Sequence, residues 1–342
     1  MTRQLHSRLF LFLVLGGLFF LLMGCRTAEP PLPTRMATAV SVQTFTPRPT
    51  ATFTLTPTVT PTAVPSSTPV IQRPSATPRP TDTPPATATT AANAITQTVG
   101  LSSQARPIVD YQFKNGPRHV VFVGGMHGGY EWNTISLAYE AIDYFQANLD
   151  QIPDSLTLHI IPSANPDGQF LVTGSDGRFA LTAVISDTVA GRFNGNNVDL
   201  NRNWDCNWQA NGLWRDQWVS GGERPFSEPE NVALRDYLLA LQPEAVIFWH
   251  SALNGVFAAG CPQTYQPAYD LAEVYGLAGG YPIYEAFTSY PVTGDASDWL
   301  VAQGITSMTV ELTTHSATDW RQNLAGMLAT LAYYDRAAIP GK

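Results

Sequence analysis

The stretch that decides the fold is His119-Val-Val-Phe-Val-Gly-Gly-Met-His-Gly-Gly-Tyr-Glu131. Its apolar first part, residues 119–123, is bounded by proline and glycine, a pattern typical of a buried strand. Over residues 131–149, apolar side chains then recur at helical spacing, which predicts an amphipathic helix. His127 and Glu131 therefore fall at the junction between a strand and a helix.

Further apolar runs predict strands over residues 156–161, 245–249 and 307–310. Apolar residues at helical spacing predict helices over residues 227–241 and 319–336. Strands that alternate with helices indicate a single α/β domain, in which a mixed, mostly parallel twisted sheet has helices on both faces. In such a sheet, ligands are expected at the carboxyl ends of the strands.

The first hundred residues have a different composition from the rest. Residues 1–25 combine arginines, an apolar stretch and the sequence Leu22-Met23-Gly24-Cys25, which predicts a lipoprotein-type signal peptide. An uncleaved apolar anchor is the alternative to a lipid on Cys25. Residues 26–100 are rich in threonine and proline and offer no apolar face to bury, so they are expected to be a disordered stalk. The chain is therefore expected to be exported and anchored at the cell surface.

Residues 101–342 contain all eight tryptophans and are predicted to form one catalytic domain. Within them, residues 163–224 show little periodicity, and structureless stretches of this size are usually functional. The domain has 12 lysines and arginines against 25 aspartates and glutamates, a formal net charge of −13. This charge argues against nucleic acid as a partner and leaves membrane association to the N-terminal anchor alone. No protein partner is inferred.

Two cysteines remain in the domain if Cys25 carries a lipid. In an oxidising location, Cys206 and Cys261 are expected to form a disulfide, and two free buried thiols are the alternative. Neither cysteine has the spacing of a zinc ligand.

Polar residues end three of the predicted strands or follow them closely. His127 and Glu131 follow the first, His250 ends the second, and Glu311 ends the third. Two imidazoles and a carboxylate leave one coordination position of a zinc ion open for water, and Glu311 adds a free carboxylate. A lone histidine is more often a core or surface residue, but this combination predicts a catalytic zinc site.

The sequence resembles the carboxypeptidase A-like zinc metallocarboxypeptidases over most of residues 118–335. The resemblance rests on an ordered set of motifs rather than on one of them. These are His127 with Glu131, Asn165-Pro-Asp-Gly168, Val198-Asp-Leu-Asn-Arg-Asn-Trp204, Pro225-Phe-Ser-Glu-Pro-Glu230, His250-Ser251, Tyr290 and Glu311.

This resemblance implies one Zn²⁺ per chain, held by the two histidines and Glu131. Asp199 would accept a hydrogen bond from the ring of His127 and so fix its tautomer. Glu311 would take a proton from water and pass it to the leaving amine. Arg192 would stabilise the charge that develops on the scissile carbonyl oxygen.

The same resemblance implies how a substrate is held. Asn201 and Arg202 would bind a terminal carboxylate, and Tyr290 would donate its hydroxyl to the substrate. The expected activity is hydrolysis of the C-terminal peptide bond of peptides. A murein stem-peptide hydrolase of the same fold, acting as an amidase or endopeptidase, and an inactive domain that binds peptides or cell wall are the alternatives.

Three departures from the family pattern set further expectations. Three residues rather than two separate His127 from Glu131, so the loop must bulge or the helix start must shift. The position beside the zinc glutamate, often arginine in the family, is Tyr130, so an auxiliary substrate contact is expected to be missing.

Ser297 falls where the family places its specificity residue, and serine favours neither an apolar nor a basic side chain of the substrate. Asp295 would either attract an amino group of the substrate or cap the helix that follows it.

Overall fold

Ten strands and six helices organise the part of the chain that the computed structural model describes, residues 94–336. The strands are β1 (Ile95–Leu101), β2 (Pro107–Phe113), β3 (Arg118–Val123), β4 (Leu156–Ile161), β5 (Asn211–Trp214), β6 (Gln217–Ser220), β7 (Ala245–Ser251), β8 (Gly255–Ala258), β9 (Ile283–Tyr284) and β10 (Thr306–Leu312). The helices are α1 (Trp132–Ala147), α2 (Pro166–Thr173), α3 (Pro229–Leu241), α4 (Gln266–Gly279), α5 (Ala296–Ala302) and α6 (Trp320–Arg336).

Eight of these strands form one sheet in the order β1-β2-β4-β3-β7-β10-β8-β9, and β5 and β6 form a separate hairpin. The central strands β4, β3, β7 and β10 are all parallel, while β1, β2 and β8 join the sheet in antiparallel pairs. The mixed, mostly parallel sheet predicted from the sequence is confirmed.

Helices cover both faces of this sheet, because its central strands are apolar on both sides. On β3, Val120 and Phe122 pack into a core with α1, α4 and α6. The alternate residues Val121 and Val123 pack into a second core with α3 and α5. All four side chains are fully buried. Each such burial stabilises the fold by roughly 1.5–3 kcal/mol.

The first strand corrects the predicted boundary of the stalk. Residues 95–100 were assigned to the stalk, but they belong to β1, which pairs antiparallel with β2. Most side chains of β1 are exposed at the edge of the sheet, so its threonines and glutamine resemble the stalk in composition. The predicted signal segment and the stalk up to residue 93 lie outside the described residues.

The elements predicted from apolar periodicity are present, with ends that differ by a few residues. Residues 163–224, expected to be a structureless loop, contain α2, several 3-10 turns and the β5–β6 hairpin. Between residues 94 and 336, no helix is both long and apolar enough to cross a membrane.

The disulfide between Cys206 and Cys261 is present, with 6.1 Å between the two Cα atoms. It joins the segment after residues 200–202 to the segment between β8 and α4. A crosslink that closes 55 residues lowers the entropy of the unfolded chain, an effect of about 4 kcal/mol. The predicted pairing is confirmed.

Candidate active site

The three predicted metal ligands meet at the carboxyl edge of the sheet. His127 lies after β3 and Glu131 ends the 3-10 turn Gly128–Glu131, while His250 is near the end of β7. One ligand atom from each lies within 4.8 Å of the other two, and all three side chains are at most 4% exposed. Within residues 94–336, this is the one group of histidines, cysteines and acidic residues close enough to share a metal ion.

The extra residue between His127 and Glu131 is absorbed by the 3-10 turn. The amide of Gly128 donates to the carbonyl of Gly125 (2.9 Å), and the amide of Tyr130 donates to the carbonyl of His127 (3.1 Å). Helix α1 consequently starts at Trp132, after the glutamate. The expected shift of the helix start is what brings Glu131 to the histidines.

Two buried polar atoms of the site have no hydrogen-bond partner among the described residues, His127 Nδ1 and Glu311 Oε2. Burial first, and then the charge of Arg192, lower the pKa of His127 well below its usual value. For His250, burial is opposed by the Glu131 carboxylate 3.2 Å away, and the pKa is raised. A neutral, unpartnered imidazole nitrogen beside a carboxylate is a suitable donor for a divalent metal such as zinc.

A buried ion pair lies next to this donor set. Two nitrogens of Arg192 lie 2.8 and 2.9 Å from the same carboxylate oxygen of Asp199. A third lies 3.9 Å from Glu131, and the guanidinium is 4.4 Å from the ring of Trp214. The predicted position of Arg192 beside the metal ligands is therefore found.

Asp199 differs from its predicted role. Its Oδ1 lies 3.4 Å from His127 Nδ1, but the pair lacks hydrogen-bond geometry and the nitrogen has no partner. The carboxylate instead accepts from Arg192 and from the amide of Asn201. The two nitrogens of Arg192 bond Oδ2, the oxygen other than the one near the imidazole, so Asp199 positions the arginine.

Glu311 lies on β10, where its Cα is paired in register with that of His250 on the parallel strand β7. It lines the same cavity as the ligands but is not one of them. Burial, followed by the negative charge of Glu131, raises its pKa. The carboxyl group is thus near the donor set and predisposed to accept a proton.

The cavity has a volume of about 320 Å³. Every predicted site residue except the fully buried Asp199 lines it. These are His127, Glu131, Arg192, Asn201, Arg202, His250, Tyr290, Asp295, Ser297 and Glu311.

At one end of this cavity, Arg202 and Asn201 are fixed by hydrogen bonds. Arg202 donates to the carbonyls of Leu213 (2.9 and 3.1 Å) and Asn201 (2.7 Å). The amide side chain of Asn201 donates to Asp295 (2.7 Å) and accepts from the amide of Ala296 (3.0 Å). The arginine therefore has rigid support, whereas both ends of the Asn201 side chain already have partners.

Asp295 caps helix α5, one of its two predicted roles. It accepts from the amide of Asp298 (3.1 Å) and from the hydroxyl of Ser297 (2.6 Å). Sequence reasoning missed Asp298, which also lines the cavity and accepts from the amide of Gly260 (2.8 Å). Burial, and then the charge of Asp295, raise the pKa of Asp298 to about 8. Its spacing of three residues from a predicted helix cap was the available signal.

Aromatic residues form another part of the wall. Tyr290 packs edge-on against Phe287, with 4.7 Å between ring centroids, and belongs to a small cluster with Tyr130 and Trp214. The Tyr130 hydroxyl lies 3.3 Å from His315 Nε2. Trp214 and its neighbour in the hairpin, Arg215, line the cavity, and no sequence pattern indicated either.

Comparison with known proteins places the chain in a family. The family model described as zinc carboxypeptidase matches residues 87–328. The chain belongs to the zinc carboxypeptidase family and is a hydrolase of that family.

Two curated relatives differ in the activity that their names state. Carboxypeptidase B of Astacus astacus is 26% identical over 235 residues, which are 62% of this chain and 76% of that protein. Gamma-D-glutamyl-L-diamino acid endopeptidase 1 of Lysinibacillus sphaericus is 24% identical over 227 residues, 59% of this chain and 56% of the endopeptidase. The chain thus spans little more than half the length of the second relative.

Solved structures share the fold at low identity. Carboxypeptidase A of Helicoverpa armigera has a TM-score of 0.54 and 19% identity, covering 71% of this chain and 70% of that one. The murein-tripeptide amidase of Escherichia coli O157 has a TM-score of 0.50 and 20% identity, covering 72% and 93%.

Close packing of the turns around the ligands gives a testable prediction. A methyl group at Gly191 would lie 2.4 Å from Val172 Cγ2 and 2.9 Å from the carbonyl oxygen of Gly168. Gly191→Ala should therefore move the turn that carries Arg192 and lower zinc affinity roughly 10-fold, as loss of a group supporting the ligands does.

Titration calorimetry with zinc measures this change. Gly177→Ala is the matched control, because its nearest neighbour would be Ser175 Oγ at 4.0 Å. Equal zinc affinities of the two variants would contradict the prediction.

Proposed function

We propose that this chain is a zinc-dependent metallocarboxypeptidase that hydrolyses the C-terminal peptide bond of peptides. The observation that carries the proposal is the presence of the buried Arg202 guanidinium in the same cavity as the metal-binding set and Glu311. A guanidinium holds a carboxylate through two parallel hydrogen bonds, and a free carboxylate marks the end of a peptide. The bond beside that carboxylate is the one placed for cleavage.

His127, Glu131 and His250 would hold one Zn²⁺ per chain. When bound, the metal supplies Lewis acidity, which polarises a carbonyl and makes water more acidic. The buried, unpartnered Nδ1 of His127 and the neighbouring carboxylate fit this ion.

Three side chains of this protein carry out the remaining steps of hydrolysis. Glu311 takes a proton from the attacking water and returns it to the leaving amine, which a carboxylate near but outside the donor set can do. Arg192 stabilises negative charge on the substrate carbonyl oxygen, and Asp199 holds its guanidinium in place. Burial raises the pKa of Tyr290, so its hydroxyl remains protonated and able to donate.

Arg202 has the electrostatic properties that the terminal carboxylate requires. Its acceptors are backbone carbonyls, and among residues 94–336 no carboxylate lies within ion-pair distance of it. Its buried charge is thus left without a counterion until a carboxylate of the substrate arrives. Binding of an anion there offsets an existing desolvation cost.

The second candidate is a murein stem-peptide hydrolase, either amidase or endopeptidase. Asp298 supports it, because this carboxyl group in the cavity suits the free amino group of a diamino acid. The names of the endopeptidase and the amidase described above also favour this second candidate. An inactive binding domain gains no support, since the metal ligands and Glu311 are all present.

Glu311→Gln tests the catalytic assignment. The amide cannot accept the proton, so kcat should fall at least about 100-fold, while zinc binding persists because Glu311 is not a ligand. Hydrolysis of peptides and muropeptides is measured together with metal content. Glu273→Gln, an exposed change on α4, is the control. A Glu311→Gln protein with zinc and full hydrolysis would refute the assignment.

Arg202→Lys tests the requirement for a free carboxylate. Lysine keeps the charge but loses the forked geometry, so kcat/KM for peptides with a free C-terminus should fall roughly 10- to 100-fold. Peptides with an amidated C-terminus provide the comparison, and thermal unfolding verifies that the variant is folded. If wild type cleaves free and amidated peptides equally, the carboxypeptidase proposal fails.

We also propose that the protein is exported and anchored at the cell surface by its N-terminus. The apolar segment and Cys25 in residues 1–25 support this proposal. Cys25→Ala should release the protein from the membrane fraction if a lipid is the anchor and leave it there if the uncleaved segment is. Wild-type protein recovered from the cytosol would refute export.

A further inference from the structure

Arg215 is an unpaired cation at the wall of the cavity. It lies at the turn of the β5–β6 hairpin with a positive φ of 56°, and its side chain is exposed. Its guanidinium is 5.5 Å from the centre of the Trp214 ring, a cation–π contact. Among residues 94–336, no carboxylate pairs with it, although the domain carries a formal net charge of −13.

Two more hydrogen-bonding groups lie beside it, Tyr130 and His315. The Tyr130 ring packs edge-on against Trp214 at 5.2 Å, and its hydroxyl is 3.3 Å from His315 Nε2. Tyr130, Trp214 and Arg215 all line the cavity, and His315 is connected to them through its contact with Tyr130. His315 is held in turn by the hydroxyl of Ser251 at 3.0 Å.

The contacts of the hairpin indicate where Arg215 lies relative to a bound substrate. The carbonyl of Leu213 accepts from Arg202, and the next residue, Trp214, contacts Arg192 beside the metal ligands. Arg215 follows at the tip. Successive residues of the hairpin thus contact the proposed carboxylate-binding arginine and the arginine beside the metal ligands, and the next residue, Arg215, lines the same cavity.

We propose that Arg215, together with Tyr130, whose hydroxyl is held by His315, binds a carboxylate on the part of the substrate that is N-terminal to the cleaved bond. The direction of the substrate rests on the proposed function, because it places the terminal carboxylate on Arg202. The carboxylate has two sources with the same chemistry, an aspartate or glutamate side chain and the free α-carboxylate of a γ-linked glutamate. The chain therefore prefers acidic substrates although its domain is itself acidic.

The geometry favours recognition over a purely structural role for Arg215. Trp214 is already packed by Arg192 at 4.4 Å, closer than Arg215 at 5.5 Å. An exposed guanidinium held over an aromatic ring loses little entropy when it binds an anion, and the charge strengthens the hydrogen bonds.

A peptide panel tests the proposal with the zinc-loaded protein. Its members carry Glu, Gln or Lys one or two residues before the cleaved bond, or a γ-linked glutamate with its α-carboxylate free or amidated. Wild type should prefer the free carboxylate over its neutral counterpart by roughly fivefold in kcat/KM, mainly through KM, as expected for a partly exposed ion pair. Arg215→Gln should abolish this preference, and Arg215→Glu should shift it to Lys.

Arg235→Gln is the matched control. Arg235 is a half-buried arginine on α3 that contacts the ring of Phe226 at 4.7 Å, outside the cavity, so its loss should leave the preference unchanged. The α- and γ-linked peptides distinguish the two sources of the carboxylate.

The outcomes separate this inference from the proposed function. If wild type cleaves the panel without regard to charge, the inference fails and the carboxypeptidase proposal stands. If wild type cleaves none of the peptides, the proposed function fails, and titration calorimetry with the same peptides decides the inference. Equal binding of the Glu and Gln peptides to wild type would then overturn it.

Discussion

The parallel register of β3, β7 and β10 is the constraint on which the site depends. The pairing of β7 with β10 places Glu311 beside His250, and the pairing of β3 with β7 places Val123 beside Phe248, so His127 follows at the same edge. Because side chains alternate between faces, a slip of one residue would turn Glu311 away from the histidine. The apolar side chains on both faces of these strands hold the register, and core packing thereby sets the spacing of the chemistry.

Electrostatics make this edge selective for a cation. Around the donor set, the carboxylates of Glu131 and Asp199 lie within ion-pair distance of Arg192, and Glu311 lines the same cavity. Burial, and then the negative charge of Glu131, raise the pKa of Glu311, as expected for a carboxyl group near another carboxylate. A divalent cation relieves this repulsion. The Arg192–Asp199 pair fixes the guanidinium beside the donor set, with a third nitrogen 3.9 Å from Glu131.

The sequence allowed the central sheet and the metal donors to be predicted, because both depend on short local patterns. Apolar runs ended by glycine or by polar residues indicated the strands and their carboxyl ends. The partner of Asp199 could not be predicted, since two nearby groups, Arg192 and His127, compete for one carboxylate. Edge strand β1 was mistaken for stalk because its exposed residues have the composition of a linker.

The residues that form the walls of the cavity lie on loops and a hairpin, not on the central sheet. Trp214 and Arg215 lie on a hairpin within a segment that shows no periodicity, and only the fold brings them to the metal ligands. The disulfide ties this segment, just after Arg202, to Cys261, next to the Gly260 amide that donates to Asp298. One crosslink thus joins two segments that contribute residues to the cavity wall. Since the sheet positions His250 and Glu311, we expect variation in these loops to affect substrate preference more than the position of those two groups.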